Sequence, residues 1–279
     1  MRKFLYCIFV IGLVCFSFYY TDLAASIIKK NDPIMKKIKK YQTIHKKNYI
    51  NASINGLTLT PGVNGSIVND DESYYAMKKY GKYNEDLMVF DEITPTISIS
   101  NTYDKFISKG NSNKRMVSII FQIRDYSYLT EIINILDSKS VKGTFFIEKY
   151  IVDDSIDLVK LINNSYHQIE VYSNDYSRLN FNYYNKKIKQ ITKEDLSFCI
   201  SLEKETDILK ACSESKLHTI NPSIITNNFP YNDVKNKVEE GSIILLSNNN
   251  IVLRELPYII NYIKQRGYQI VTLSKLLEE

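Results

Sequence analysis

The sequence has no tryptophan, four cysteines and no Cys-x-x-Cys pair with the spacing of a zinc site. It also lacks a Gly-x-Ser-x-Gly elbow, which excludes the usual nucleophile of α/β-hydrolases. The glycines at 62 and 65 do not form a phosphate loop, because no Gly-Lys-Ser/Thr follows them. What remains is a globular chain of 279 residues, 44% hydrophobic, which can bury one core and a small second unit.

Positive charge is confined to one end of the chain. Residues 1–50 carry ten Lys and Arg against two Asp, a net charge of +8, whereas the whole chain has +5 and the rest therefore −3. A protein that binds nucleic acid is expected to carry its positive surface on the folded domain. We therefore predict no nucleic-acid partner.

Residues 1–26 have the pattern of a signal peptide or an uncleaved membrane anchor. Two cationic residues precede an apolar run over residues 4–20, and Ala24-Ala25 follows it. Leu23 is large where a cleavage site needs a small residue, which favours the anchor. A buried N-terminal helix is the alternative, although no polar stripe is present to face water. We predict a membrane-anchored extracytoplasmic or secreted protein that contacts the membrane through residues 4–20.

A Lys-rich linker and extension follows over residues 27–115. Its lysines between residues 29 and 47 argue against simple export, because the positive-inside rule keeps such segments cytoplasmic. They are typical either of a solvated helix face or of a surface attracted to anionic lipid or wall polymer. The remainder is rich in Asn, Gly, Thr and Ser, with one short helix at 73–80 and one strand at 96–100. We predict a mostly irregular extension that packs on the main domain.

From residue 116 onward, apolar β-branched runs alternate with segments of helical spacing, which is typical of a parallel α/β fold. Seven short strands predict an irregular seven-stranded (β/α) barrel over residues 116–279. The carboxyl ends of parallel strands are where such folds bind ligands. The predicted strands are 116–122, 142–147, 167–173, 196–200, 217–220, 241–246 and 268–272. The predicted helices are 126–138, 154–165, 202–212, 231–239, 252–266 and 273–277.

Several of these segments resemble the polysaccharide deacetylase (NodB-homology) family. The resemblance covers about residues 116–279, and its most specific part is Gly-Thr-Phe-Phe at 143–146. It implies the irregular (β/α) barrel of that family and metal-dependent hydrolysis of the acetamide of N-acetylated sugars. The segments that carry it are 117–121, 132–136, 142–147, 167–169, 241–246 and 267–273.

The chemistry that the resemblance implies needs an Asp-Asp pair after the first strand and a His-x-x-x-His pair after the third. Amides, apolar side chains and phenols, which are poor bases and poor ligands for a hard or borderline cation, replace them here. An Arg-x-Pro segment becomes Asn221-Pro222-Ser223, and a late His becomes Ser247. We predict no catalytic residue, no metal and no other cofactor. The degenerate positions are Gln122, Ile123, Tyr172, Tyr176 and Ser247.

The sequence therefore predicts a catalytically inactive deacetylase-like domain of the bacterial cell envelope, which binds cell-wall glycan or an envelope protein. Neutral amides, hydroxyls and rings at the strand ends are groups that bind sugars. They are equally typical of polar surface that fills a lost site. The second hypothesis is a divergent polysaccharide or peptidoglycan N-deacetylase that uses a divalent metal such as zinc. The candidate cleft residues are Gln122, Asp125, Tyr172, Asn174, Tyr176, Asn221, Ser247 and Asn248.

A rebuilt metal site could draw only on Asp125, His167 and His218. Their convergence would require two strands to shift register, which turns side chains to the other face. We predict instead that His167 is a histidine at the rim of the core with a backbone partner. Cys199 and Cys212 could join as a disulfide in an exported domain, or could remain two buried thiols.

Overall fold

The computed structural model describes residues 2–176 and 179–279, with side chains from Phe9 onward. The helices are α1 Arg2–Asn31, α2 Pro33–His45, α3 Asp70–Tyr80, α4 Leu129–Ser138, α5 Lys149–Asp154, α6 Ile156–Asn164, α7 Phe181–Thr192, α8 Thr206–Glu214, α9 Pro230–Lys237, α10 Asn250–Gln265 and α11 Leu273–Leu277. The strands are β1 Ser53–Asn55, β2 Thr58–Thr60, β3 Gly65–Val68, β4 Phe90–Ile93, β5 Phe106–Ile107, β6 Met116–Ile123, β7 Thr144–Glu148, β8 Gln168–Tyr172, β9 Phe198–Ile200, β10 His218–Ile220, β11 Ile224–Ile225, β12 Ile243–Ser247 and β13 Gln269–Val271.

The chain divides into two compact units, residues 1–49 with 64–93, and residues 50–63 with 94–279. The predicted domain boundaries at 26 and 115, and the packing of the extension on the main domain, stay predictions. The predicted helix at 73–80 is present as α3. The predicted strand at 96–100 is wrong, because Ile99–Asn101 form a 3-10 turn that the Ser98 side chain caps.

The first unit contains α1, α2, α3 and the antiparallel pair β3–β4. Asp32 caps α2 by accepting a hydrogen bond from the backbone N–H of Ile34, and Pro33 occupies the first helical position. The unit has a small core of its own, although the sequence offers little apolar material there. Its buried members are Met35, Ile38, Val68, Tyr74 and Met77. The segment Phe9–Asn31 of α1 is long and apolar enough to cross a membrane, features that a signal sequence shares.

The second unit is an α/β fold, as predicted. All seven predicted strands are present, and they pair in parallel. Their continuous apolar runs are typical of parallel strands whose two faces are both covered. One sheet has the order β11-β12-β6-β7-β8, with β13 pairing to β6. The other has the order β1-β2-β5-β10-β9. The extension is therefore less irregular than expected, since β1, β2 and β5 join the second sheet.

The two sheets approach one another at β8 and β9, which do not form a strand ladder in the described residues. The buried Glu170 of β8 fills this gap with its carboxylate, which accepts hydrogen bonds from the backbone N–H groups of Ser197 and Phe198 at 3.0 and 3.1 Å. Closure into a single barrel stays a prediction.

Two helices, α5 and α7, have no counterpart among the predicted ones. The structure joins Cys199 of β9 to Cys212 of α8 through a disulfide. This bond ties the short β9 to the helix that follows it. Gly267 has φ +80° at the end of α10, a left-handed conformation that a side chain would strain.

Candidate functional site at the carboxyl ends of the strands

Strands β12, β6, β7 and β8 bring the candidate residues to one edge of the first sheet. Gln122 pairs in register with Phe146 of β7 on one side and with Ser247 of β12 on the other. Two positions further along β7, Glu148 pairs with Tyr172 of β8. Because paired residues of parallel strands point to the same face, these side chains share one end of the fold.

The two positions at the end of β6 carry no acid. Gln122 is 6% exposed, and its Nε2 has no hydrogen-bond partner. Ile123 is fully buried in the apolar core. An amide holds no ionisable proton, and an isoleucine offers no donor or acceptor, so neither position can provide a general base.

Asp125, in the loop after β6, is held by Asn248 from the loop after β12. The Nδ2 of Asn248 donates to the Oδ1 of Asp125 at 3.0 Å and to the carbonyl oxygens of Asp125 and Ser127, both at 3.1 Å. The backbone N–H of Ser127 donates to the same Oδ1 at 2.8 Å. The carboxylate and the amide therefore fix the loop after β6 to the loop after β12.

Tyr172 lies beneath a guanidinium group. The Arg124 Nη2 donates to the Tyr172 hydroxyl at 3.4 Å, and Arg124 Cζ lies 5.6 Å from the Tyr172 ring centroid. The hydroxyl in turn donates to Oδ1 of Asn174. A cation over an aromatic ring is a favourable contact, worth about 0.5–1 kcal/mol where water has access. A cation, a phenol and an amide thus occupy the side of the site formed by β8.

Tyr176 does not belong to this group. It is fully buried, stacks on Phe181 with ring centroids 5.9 Å apart, and donates to the Val171 carbonyl. Its hydroxyl also accepts from the backbone N–H of Ile200 at 3.3 Å. Burial raises the pKa of Tyr176 far above its usual range. The residue is therefore a packing side chain that joins the loop after β8 to β9.

The side chain of Asn221 hydrogen-bonds to the backbone of a neighbouring loop. Its Nδ2 donates to the carbonyl oxygens of Ser201 and Leu202 at 2.9 and 3.0 Å. These bonds hold the end of β10 to the loop after β9. The structure thus brings Gln122, Asp125, Tyr172, Asn174, Ser247 and Asn248 to the strand ends of the first sheet, and ties Asn221 and Tyr176 to the second.

Four residues at this site were not among the candidates from the sequence. Arg124 is described above, and Glu148 ends β7, where burial raises the pKa of its carboxyl group. Tyr126 and Tyr150 are 44% and 41% exposed, and their rings meet edge to face with centroids 6.4 Å apart. The Tyr150 hydroxyl donates to the carbonyl oxygen of Arg124. The position of Glu148, two residues after Gly-Thr-Phe-Phe, was the one sequence signal that could have found it.

The histidines lie elsewhere. Nδ1 of His167 accepts from the backbone N–H of Gly143 at 3.2 Å, and burial lowers its pKa to about 4. His218 stacks on Tyr103 with ring centroids 4.5 Å apart, and burial lowers its pKa too. In the described part of the chain, no group of three or more His, Cys, Asp or Glu side chains could hold a metal. The positions at which the resemblance implies metal ligands hold an orphaned amide at Gln122, the buried Ile123 and the phenol of Tyr172, and these groups do not fit a divalent ion.

Residues 109–220 match the family model of polysaccharide deacetylases. The chain carries a degenerate polysaccharide deacetylase domain. The match spans the Gly-Thr-Phe-Phe strand and the ends of β6 and β8, where the resemblance implies Asp and His ligands that are replaced here, so the family prediction is confirmed. The chain is 26% identical over 240 residues to the uncharacterized protein YlxY of Bacillus subtilis, and the match covers 78% of this chain and 75% of YlxY.

Several solved structures are similar to this chain in fold. BA3943 of Bacillus anthracis, a CE4 family pseudoenzyme, superposes with a TM-score of 0.65 at 24% identity, covering 89% of this chain and 96% of BA3943. A BA3943 mutant with restored enzymatic activity matches with the same TM-score. The Bc1960 peptidoglycan N-acetylglucosamine deacetylase gives 0.52 at 22% identity, over 61% of this chain and 91% of that one. The deacetylase-type α/β fold is therefore confirmed.

Proposed function

We propose that this chain is a non-catalytic deacetylase-like protein of the bacterial cell envelope that binds glycan at the strand ends of its first sheet. The observation that carries the proposal is the replacement of acid and imidazole by Gln122, Ile123, Tyr172 and Tyr176, the last three of which belong to the buried core. The fold that positions a deacetylase site is retained, while the groups that would bind metal and activate water are gone.

Loss of catalysis is supported by what the replacements do in the structure. Ile123 and Tyr176 pack as core residues, so these two positions contribute to the apolar core and offer no group to a metal or to water. The Asn248 amide and the backbone N–H of Ser127 both donate to Oδ1 of Asp125, so this oxygen serves to hold the loop. The similar protein BA3943 is itself named a pseudoenzyme.

Glycan binding is supported by the exposed face of the site. The rings of Tyr126 and Tyr150 are open to solvent beside Arg124 and Asn174, which offer donors for hydroxyl groups. Sugars bind by stacking their C–H faces on aromatic rings while directional hydrogen bonds fix their orientation. Some solved relatives act on such polymers, as the name of the Bc1960 peptidoglycan deacetylase states. A protein partner is the competing occupant of the same surface.

We also propose that the apolar part of α1 anchors the protein in the membrane with the deacetylase-like domain outside the cytoplasm. The length and apolar character of Phe9–Asn31 support this, and every residue of its apolar window is exposed. The nearby cell-wall glycan would then be the ligand within reach. Protease protection in intact cells and spheroplasts tests the orientation.

The decisive experiment uses the purified full-length protein in detergent. We expect no stoichiometric divalent metal by elemental analysis, no acetate release from chitin oligomers or peptidoglycan strands, and sedimentation with peptide-free peptidoglycan strands. The double variant Tyr126→Ala/Tyr150→Ala should bind the strands at least tenfold more weakly. Tyr258→Ala, which removes a ring 66% exposed on α10, is the matched control and should bind like the wild type.

Two results would overturn the proposal. Stoichiometric metal together with acetate release would establish the divergent N-deacetylase with a non-standard site. Equal strand binding by the double variant and by Tyr258→Ala, with the fold of both confirmed by circular dichroism, would remove the strand ends as the glycan site.

A further inference from the structure

A second concave surface lies at the opposite end of the same fold. A cavity of about 980 Å³ opens at the amino ends of β8 and β9, between the end of α7 and the start of α11. We call it the basal groove and define it by Gln168, Glu170, Thr192, Ser197 and Ser274. Its volume is at the upper end of the range of about 300–1,000 Å³ that is typical of small-ligand sites.

The groove exists because β8 and β9 do not form a ladder. Glu170 closes its inner end, where it accepts from Ser197 and Phe198 and also from the Gln168 Nε2 at 2.8 Å. The Gln168 Oε1 accepts from the Thr144 hydroxyl at 3.1 Å. These bonds fix the side chains of Glu170 and Gln168, which makes this part of the wall preorganised for a ligand.

The lining is polar, and its charged groups are of both signs, because Lys193 and Glu194 line it beside Asp195, Lys275 and Glu278. Asp195 at the rim is paired with Lys189 at 2.7 Å, and Glu278 is paired with Lys275. Burial raises the pKa of Glu170 to about 8, so the inner carboxyl is largely neutral near pH 7. A lining of hydroxyls and amides with compensated charges favours a neutral, hydroxyl-rich ligand over a phosphate or an ammonium group.

Aromatic and apolar surface accompanies these groups. Tyr166 stands at the rim with 82% of its surface exposed, and Ile169 and Ile191 also line the groove. A tyrosine left in water contributes little to folding, because burial is what makes a ring stabilising. The combination of an open ring, an apolar strip and neutral donors and acceptors matches the two faces of a pyranose.

We propose that the basal groove is a second binding site, for a neutral oligosaccharide, with Tyr166 as its stacking platform. This inference stands on residues that the strand-end site does not share, so it holds whether or not that site binds glycan. With both sites present, one molecule would contact two sugar segments at opposite ends of its fold, and avidity would follow wherever both are reachable at once.

Isothermal titration calorimetry of the full-length protein in detergent tests the proposal with four probes of equal length. These are chitotetraose, its fully deacetylated cationic form, an anionic tetragalacturonate and tetra-alanine. The groove variants are Tyr166→Ala and Ser274→Trp, the second of which places a large ring into the groove from an exposed position. The double variant Tyr126→Ala/Tyr150→Ala removes the strand-end site, and Tyr258→Ala is the control.

We expect the wild type and Tyr258→Ala to bind two equivalents of chitotetraose. Each groove variant should retain only the equivalent at the strand ends, and the strand-end double variant should retain only the equivalent in the basal groove. The charged probes and tetra-alanine should bind the basal groove at least tenfold more weakly than chitotetraose. The groove is overturned if both groove variants bind like the wild type, or if tetra-alanine competes equally. A single equivalent that only the strand-end variant removes overturns the groove and leaves the proposed function standing. If a single equivalent binds and only the groove variants remove it, the basal groove stands and the strand ends are not the glycan site.

Discussion

The carboxylate of Glu170 in β8 accepts a hydrogen bond from the backbone N–H of Phe198 in β9 at 3.1 Å, where a backbone carbonyl of a neighbouring strand would ordinarily stand. A buried backbone donor without a partner costs about 1–3 kcal/mol, so the side chain completes the junction between the two sheets. Removing this carboxyl group from water costs free energy, and the cost depends on pH because the ionised form is the harder one to bury.

The first prediction concerns this carboxyl. Burial raises its pKa from 4.5 to about 8, so the folded chain binds the proton more tightly than the unfolded chain. Its contribution to stability is therefore full below about pH 4.5 and is lost as the pH rises through about 8. Urea unfolding from pH 5 to pH 9 should show a decline that Glu170→Gln removes. An unchanged decline in Glu170→Gln would refute the assignment.

The second prediction concerns His167, whose shift has the opposite sign. Burial lowers its pKa from 6.5 to about 4, so the folded chain resists protonation. Stability from this group is full above pH 6.5 and is lost as the pH falls toward 4. His167→Asn keeps an acceptor for the Gly143 N–H and should flatten the acid side of the stability profile. His45, which is exposed, provides the control substitution His45→Asn, which should leave that side intact.

The third prediction tests whether Ile123 has become structural. Ile123→Asp introduces the acid that the resemblance to deacetylases implies at this position, but it buries a carboxylate among apolar neighbours without a partner. We expect a loss of roughly 3–5 kcal/mol in the free energy of unfolding, against about 1 kcal/mol for Ile123→Val. Chemical denaturation measures both. Equal stability of the two variants would mean that the position still opens to water.

The fourth prediction concerns the amide that joins two loops. Asn248→Asp is nearly isosteric, yet it removes the donor that Asp125 and the Ser127 carbonyl share and places a second carboxylate beside the first. We expect a loss of about 1–3 kcal/mol and faster amide hydrogen exchange in the loop after β6. Asn249→Asp retains a capping oxygen for α10 and should change stability little. If the two variants behave alike, Asn248 does not anchor the loop.

The fifth prediction concerns the bond between Cys199 and Cys212, which are 13 residues apart. Closing a loop of this length is worth about 3 kcal/mol through the entropy of the unfolded chain. The double variant Cys199→Ser/Cys212→Ser should lose about that much relative to the oxidised wild type. The reduced wild type should fall close to the variant, as measured by thermal unfolding with and without a thiol. No difference between oxidised and reduced protein would contradict the pairing.

Strands β6, β7 and β12 were predictable because each is a short, largely apolar run, the pattern of a parallel strand that is covered on both faces. Helix α7 was not, because its dense Lys, Asn and Tyr obscure a stripe that buries only Tyr184 and Ile188. Polar and apolar residues alternate over 96–100 as they do in a strand, yet the side chain of Ser98 caps a 3-10 turn. Local hydrogen bonding of this kind competes with a strand and leaves no mark on the hydrophobic pattern.

The sequence by itself determined the α/β class, the deacetylase-type fold and the loss of the acid and imidazole positions, because residue type and spacing are sufficient for each of these. Only the tertiary structure separated Tyr172 from Tyr176. Both are tyrosines in one loop region, but one hydroxyl lies under Arg124 at the strand ends and the other bonds the backbone of Ile200 in the core. Which polar groups face a ligand and which satisfy the chain itself depends on partners that are distant in sequence, and only folding brings those partners together.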